Sequence, residues 1–209
     1  MTGMLKGKIE ILARKTKKIR HFIVRTIAPT VYKAGTNHRL RPMIQFISET
    51  FEGGPLTGVE IGVLGGDNAE IILKTLPIRK LFLVDPYIPY VYVDGQLFDP
   101  REYLPEAEKK LLKFKEKAIL LTKKSSKAVD DIPNNLDFVY IDGNHAYEFV
   151  KKDIHLYYPK VRSDGVIGGH DFSAAFPGIV RAVLEFAEEK NLQLHGRETD
   201  WWFIKKPVT

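Results

Sequence analysis

The chain of 209 residues contains no cysteine. Disulfides and thiolate-held metals are therefore excluded, and any metal must be bound through oxygen or imidazole. Long apolar runs are also missing: no stretch approaches the roughly 20 residues that a membrane-spanning helix needs. The chain does not open on the apolar core of a secretory signal, so export by that route is not expected. Internal repeats and low-complexity segments are lacking too. Acids are scarce at one end, where residues 1–41 hold eleven Lys and Arg against a single acid, Glu10. The whole chain carries +6, so this segment's +10 leaves about −4 for the remainder. What is present in ordinary amount, 44% hydrophobic and 28% charged residues, suits one globular domain with a full core.

Within the basic segment Ile9, Leu12, Ile19, Phe22, Ile23 and Ile27 recur at near-helical spacing up to Pro29. The pattern predicts a basic helical arm over residues 1–45 attached to a domain over 46–209. Such an arm packs on its domain with a solvated basic face, and the second reading is peripheral contact with an anionic membrane. Nucleic acid is not an expected partner, since no aromatic or glycine recognition motif accompanies the charge. The expected location is the cytoplasm, with membrane association through the arm, and a homo-oligomer is compatible with the sequence.

From residue 57 short apolar runs alternate with helix-length segments. Strands are expected over Thr57–Ile61, Lys80–Val84, Ala118–Leu121, Leu136–Ile141 and Gly165–Gly169. Helices are expected over Asp67–Leu76, capped by its first acid, and over Pro105–Lys117, Ser125–Asp131, Tyr147–Tyr158 and Ile179–Lys190. Two last strands, Leu192–His195 and Trp201–Lys205, are too close in sequence for a crossover helix and must be antiparallel. The fold class is therefore α/β, a doubly wound and mostly parallel sheet ending in an antiparallel hairpin. Pro86–Pro105 is irregular and aromatic, which places a loop near a binding site.

Two constellations carry chemistry. The first strand runs into Glu60-Ile61-Gly62-Val63-Leu64-Gly65-Gly66-Asp67-Asn68, a glycine turn opening a helix whose N–H groups suit an anion. Glu60 suits a cofactor ammonium, and Asp85 at the next strand end suits both ribose hydroxyls of a nucleoside. The G-x-G-x-x-G of dinucleotide enzymes is not met, because Leu64 stands at the second glycine. Further on, Asp142-Gly143-Asn144-His145 and Gly169-His170-Asp171 end the fourth and fifth strands. Asp142, His170 and Asp171 suit one divalent ion such as magnesium, manganese or calcium, iron being admitted by the imidazole. His145 stands beside them as a base near neutral pH.

The runs Ile141-Asp142-Gly143-Asn144-His145-Ala146-Tyr147, Asp153-Ile154 and Asp164-Gly165-Val166-Ile167-Gly168-Gly169-His170-Asp171 resemble the strand-end signature of class I S-adenosylmethionine-dependent methyltransferases. The branch is that of sugar and macrolide O-methyltransferases, and the likeness covers about residues 55–205. The resemblance implies a seven-stranded sheet with a terminal hairpin. It implies that Glu60, Gly62, Gly66 and Asn68 surround the methionine part, Asp85 the ribose, and Ser126 the adenine. It also implies Mg2+ or another divalent cation on Asp142 and Asp171, although catechol-type relatives carry Asp-Asn where this chain has His170-Asp171. Asp142 and His145 are the expected catalytic pair, acting on a small hydroxylated molecule or a glycan. The rival readings are a nicotinamide-dependent oxidoreductase, a non-haem iron oxygenase and a non-catalytic nucleoside-binding scaffold.

Overall fold

A computed structural model of the chain describes residues 40–51, 54–91 and 95–207. The amphipathic pattern of residues 9–27 lies outside the described residues. The described chain opens on helix α1 (Pro42–Thr50), entered at Arg41 with Pro42 at its first position. Met43, Ile44 and Ile47 on this helix are fully buried in the core. The boundary drawn at residue 45 thus falls inside an element that packs on the domain.

The following elements are β1 (Leu56–Ile61), α2 (Asp67–Thr75), β2 (Ile78–Val84), β3 (Tyr90–Val91), β4 (Leu97–Phe98) and α3 (Leu104–Leu111). After these come β5 (Ala118–Leu121), α4 (Ser125–Ala128), β6 (Leu136–Ile141), α5 (Tyr147–Tyr157), β7 (Val161–Gly169), α6 (Pro177–Glu189), β8 (His195–Arg197) and β9 (Asp200–Ile204). Seven strands form one sheet in the order β5-β2-β1-β6-β7-β9-β8. All pairs from β5 through β7 are parallel, and β9 is antiparallel to both β7 and β8.

The sheet is buried on both faces, as a parallel sheet must be. Val59 and Ile61 of β1 and Val139 and Ile141 of β6 point to the face covered by α4, α5 and α6. Phe138 and Tyr140 alternate to the opposite face, where α1, α2 and α3 pack. Trp201 goes to the first face and Trp202 to the second, so both serve as hairpin core, the reading that their adjacency in a strand favours.

Some boundaries differ from the sequence pattern for identifiable reasons. Helix α2 begins on Gly66 in the left-handed conformation, with no side-chain cap, and Asp67 instead pairs with Lys110 of α3 at 2.5 Å. Pro105–Lys117 is α-helical only to Leu111, then tightens into a short 3₁₀ turn. Strand β7 starts four residues earlier than its apolar run, because its polar start still pairs with β6 across a register shift. Leu192–Leu194 are not a strand. The hairpin is tighter than the sequence suggests: Gly196 and Arg197 pair in β8, and Glu198 and Thr199 alone make the turn, with Glu198 at a φ of 56°.

Gly168 of β7 shows how tightly the hairpin is held. A methyl group there would stand 2.1 Å from the Trp201 carbonyl oxygen and 2.7 Å from the Met43 sulfur. No rotamer change relieves a backbone clash of that kind. Gly168→Ala is therefore expected to destabilise the fold by about 2–4 kcal/mol. Urea unfolding at fixed pH measures this, and a loss below about 0.5 kcal/mol would show that the β7–β9 seam opens freely.

Candidate active site

The carboxyl ends of the parallel strands border a cavity of about 1050 Å³. Its floor is the turn after β1. Gly62 has φ 87°, and a side chain there would stand 2.1 Å from the Asp142 carbonyl oxygen. The residue is thus glycine because the β1 and β6 turns touch, backbone to backbone. Asp142 N–H donates to the Ile61 carbonyl at 2.7 Å, which locks the two turns in register.

Glu60 ends β1 with its carboxyl 1% exposed. Oε1 accepts from Asn68 Nδ2 at 2.9 Å, whereas Oε2 and the Asn68 Oδ1 have no partner among the described residues. Both residues line the cavity. Asp85, at the end of β2, also lines it, but its carboxylate is largely committed. Oδ2 accepts the N–H groups of Val63 and Leu64 at 2.9 and 3.0 Å, and Oδ1 that of Tyr87 at 2.9 Å. About one further hydrogen bond remains open to it, so it suits one ribose hydroxyl better than two. Ser126 is on the cavity wall beyond β5, while Gly66 is not on the wall and serves as the helix start.

The second cluster stands beside the first. Asp142, His170 and Asp171 each present one ligand atom, all within 4.8 Å of one another. His170 Nδ1 lies 3.1 Å from Asp171 Oδ1 and 3.8 Å from Asp142 Oδ1. Its Nε2 meets the Thr199 hydroxyl at 2.7 Å, so Nδ1 is the nitrogen turned to the carboxylates. Asp171 holds a left-handed φ of 59°, strain of the kind that functional sites retain. His145 Nε2 is 3.3 Å from Asp171 Oδ2 and 3.8 Å from Asp142 Oδ1, its ring edge-on to Phe176. His145 and Asp142 line the main cavity, and His170 lies behind them on a void of about 10 Å³.

The model of a family described as methyltransferase domain matches residues 59–172, which include both clusters. The chain belongs to that family. An uncharacterized protein of Acanthamoeba polyphaga mimivirus is 29% identical over 138 residues, 62% of this chain and 58% of that protein. The chain thus spans less than two thirds of that curated relative. Among solved structures, the O-methyltransferase NovP superposes with a TM-score of 0.60 at 19% identity, over 79% of this chain and 80% of that one. An O-methyltransferase from Bacillus cereus, solved with SAH, gives 0.59 at 13% identity, over 80% and 83%. At these identities the likeness establishes the Rossmann-like methyltransferase fold.

In this methyltransferase domain the site is strongly acidic, and burial governs its protonation. Desolvation pushes the Glu60 carboxyl up to about 8, the Asn68 hydrogen bond opposing it only in part. Burial likewise raises Asp200 to about 6, although Met43 N–H donates to it at 2.9 Å and the Tyr140 hydroxyl at 3.0 Å. Burial also works against the Asp142 anion, but hydrogen bonding to His145 and the charges of His170 and Arg41 outweigh it, and its pKa is lowered. His170 shows the converse: burial disfavours its cation, yet Asp171 and Asp142 prevail and raise it.

Arg41 is the functional candidate that the sequence did not single out. It lines the cavity, with Nη2 3.7 Å from Asp142 Oδ2. In the sequence it is one of eleven bases in the first 41 residues. Its place immediately before Pro42 was the available signal, since a proline at a helix start fixes the preceding residue at the helix mouth. The aromatic loop is partly as expected: Tyr90 and Phe98 line the cavity, whereas Tyr87 is buried and donates its hydroxyl proton to the Leu64 carbonyl at 2.8 Å. Tyr92 lies outside the described residues. Among the described residues, no helix is long and apolar enough to cross a membrane.

These shifts fix the sign of the pH dependence. A carboxyl raised in the fold stabilises it fully below its unfolded value and loses that share as pH rises through the folded value. For Glu60 the loss runs from about 4.5 to about 8. A raised histidine acts in the same sense, so His170 adds a decline that begins near its ordinary 6.5. The ligand-free protein is expected to lose melting temperature steadily between pH 6.5 and 8.5. Glu60→Gln removes the larger part of that slope and leaves the share of His170. Thermal melts across this range decide it, and a flat wild-type profile contradicts the protonated Glu60.

Proposed function

We propose that this methyltransferase uses S-adenosylmethionine and methylates a hydroxyl oxygen of a small acceptor, a sugar or polyol in preference to a catechol. The observation that carries the reading is the pair of buried acceptors without partners, Glu60 Oε2 and Asn68 Oδ1, on the cavity wall. Buried polar atoms are nearly always satisfied, so an orphaned acceptor pair beside an open cavity is matched to a ligand bearing donors. An α-ammonium supplies three. The glycine turn and the first N–H groups of α2 face the carboxylate of the same amino acid.

S-adenosylmethionine, when bound, supplies an electrophilic methyl on a sulfonium, so the protein's task is mainly alignment. Glu60 and Asn68 fix the amino-acid end, and the open position on Asp85 fixes one ribose hydroxyl. With its Nε2–H turned to the two carboxylates, the His145 imidazole takes the acceptor's hydroxyl proton on its other nitrogen as the carbon–oxygen bond forms and the carbon–sulfur bond breaks. Asp142 and Asp171 flank the imidazole and stabilise the imidazolium that results. Tyr90 and Phe98 offer faces for a sugar ring at the cavity mouth.

The two carboxylates and one imidazole also fit a divalent cation of oxygen-preferring type. Their three ligand atoms lie within 4.8 Å of one another, so one ion could be reached by all of them. Such an ion, when bound, would supply Lewis acidity to the acceptor oxygens. Asp142, His170 and Asp171 would hold it, and Thr199 would keep His170 in the tautomer that ligation needs.

The test is transfer of labelled methyl from S-adenosylmethionine to a panel of glycans, polyols and phenols. His145→Ala is expected to cut turnover by about 10²–10⁴-fold while leaving affinity for S-adenosylhomocysteine within about threefold. Undiminished turnover at neutral pH removes His145 as the base. Calorimetry adds a second readout. An ammonium beside Glu60 restores its carboxylate, so binding at pH 7 is expected to release up to about one proton. The heat then varies with buffer ionisation enthalpy, and Glu60→Gln abolishes that variation. Binding of NAD in place of S-adenosylhomocysteine would favour the oxidoreductase instead.

A further inference from the structure

The mouth of the cavity carries a surface that the chemistry above does not use. Among the described residues six large hydrophobic side chains are exposed, and four of them, Leu64, Ile88, Leu97 and Phe149, line this one cavity. Single exposed apolar residues need no explanation, but four around one opening do. A fifth, Val91, is joined to them by the β3–β4 hairpin, where Val91 pairs with Leu97 and Tyr90 with Phe98. Side chains alternate between the two faces of a hairpin, so Val91 and Leu97 share one face. The Tyr90 and Phe98 rings, 5.5 Å apart, share the other. The ring face is half-buried, whereas Val91 is 65% and Leu97 72% exposed.

The charges on the same rim are one-sided. Lys124 and Lys152 line the cavity, are exposed and stand in no ion pair among the described residues. Lys152 follows Phe149 by one turn of α5, so the two project from one face of the helix. Of the acids on the cavity wall only Asp67 is exposed, and Lys110 holds it at 2.5 Å. The described chain also begins at this opening: Arg41 lines the cavity, and residues 1–39 before it hold ten Lys and Arg against Glu10.

We propose that the cavity mouth docks on an anionic lipid surface. Val91, Leu97 and Phe149 enter the boundary between headgroups and acyl chains, and Lys124, Lys152 and the bases of residues 1–39 meet the lipid anions. An apolar rim alone would suit many partners. Free lysines beside it select a negative one, and a bilayer boundary accepts apolar and cationic groups together without a matching shape. The attachment is reversible adsorption, in which apolar burial and charge attraction add, and it turns the cavity toward the membrane. The proposal goes beyond the methyl-donor reading and does not rest on it.

The experiment is sedimentation of the full chain with vesicles of phosphatidylcholine alone, and of phosphatidylcholine mixed with about one-third phosphatidylglycerol. Binding to the anionic vesicles is expected to be at least about tenfold tighter than to the neutral ones, and to weaken with added salt. Leu97→Asp and Phe149→Asp, at exposed positions, are each expected to weaken it about tenfold with the melting temperature unchanged. Joint replacement Lys124→Glu and Lys152→Glu is expected to weaken it by at least about tenfold. A Leu97→Trp variant reports depth: its added fluorescence is expected to shift to the blue on anionic vesicles and to be quenched by brominated lipid, while the buried Trp201 and Trp202 keep their signal.

No binding to anionic vesicles, or equal binding to neutral ones, overturns the proposal. Undiminished binding by both aspartate variants overturns it too, and assigns the attraction to residues 1–39 alone. A dimer in solution that Leu97→Asp dissociates, without vesicle binding, overturns it in favour of a second copy of this chain. Calorimetry with S-adenosylhomocysteine in the absence of vesicles tests the methyl-donor reading separately, so each reading fails without the other.

Discussion

The contact on which the site depends is between two backbones, at Gly62 and Asp142. Parallel strands end on the same side of a sheet, but that alone does not bring their end residues into one site. Here the β1 turn is pressed against the β6 turn so closely that a methyl group on Gly62 would fall 2.1 Å from the Asp142 carbonyl oxygen. The Asp142 N–H to Ile61 carbonyl bond at 2.7 Å and the His170 N–H to Ile141 carbonyl bond at 3.1 Å extend the same stitching to β7. Glu60, Asp142 and His170 are thereby mounted on three neighbouring strand ends with no flexible link between them. Reacting groups held this way need little reordering when a ligand arrives.

The consequence is electrostatic crowding, and the fold answers it differently at each acid. Glu60 is left with too few donors, so it stays protonated until a cation comes. Asp85 is satisfied by three backbone N–H groups of its own and the adjoining turn. Asp142 is kept ionised by two histidines and Arg41. Asp200 lies beneath them and anchors α1 by accepting the Met43 N–H at its first turn, a buried carboxylate at a helix N-terminus. That anchor sets where Arg41 stands. The hairpin strand β9 thus reaches the site twice, through Asp200 under α1 and through Thr199, the turn residue before it, on His170.

Much of this was legible in the sequence because the sheet is buried on both sides. Strands such as Ala118–Leu121 and Leu136–Ile141 are continuous apolar runs bounded by polar turns, and their ends coincide with the pattern. The polar residues that break those runs are the site, so Glu60, Asp142, His145, His170 and Asp171 stand out. What failed to show was anything set by contacts between distant segments. The use of Asp85 by the β1 turn depends on the Val63 and Leu64 N–H groups lying across the β1–β2 pair. The short turn of the hairpin depends on Glu198 adopting a left-handed φ that its residue type does not favour. Arg41 was hidden by its neighbours' charge.

The distribution of satisfied and unsatisfied groups along the cavity separates scaffold from ligand surface. Near β7 and β9 several polar side chains are paired within the protein, as in Thr199 with His170 and Tyr140 with Asp200, while the indole N–H groups of Trp201 and Trp202 have no partner among the described residues. Beside the β1 turn, Glu60 Oε2 and Asn68 Oδ1 are buried without a partner among the described residues. The Asn68 oxygen accepts, and so does the Glu60 carboxyl once it has lost its proton, so a ligand that satisfied them would carry donors. An ammonium group has that pattern, and a phosphate does not. The acceptors that cost the ligand-free fold stability are therefore also the groups that favour a ligand bearing donors.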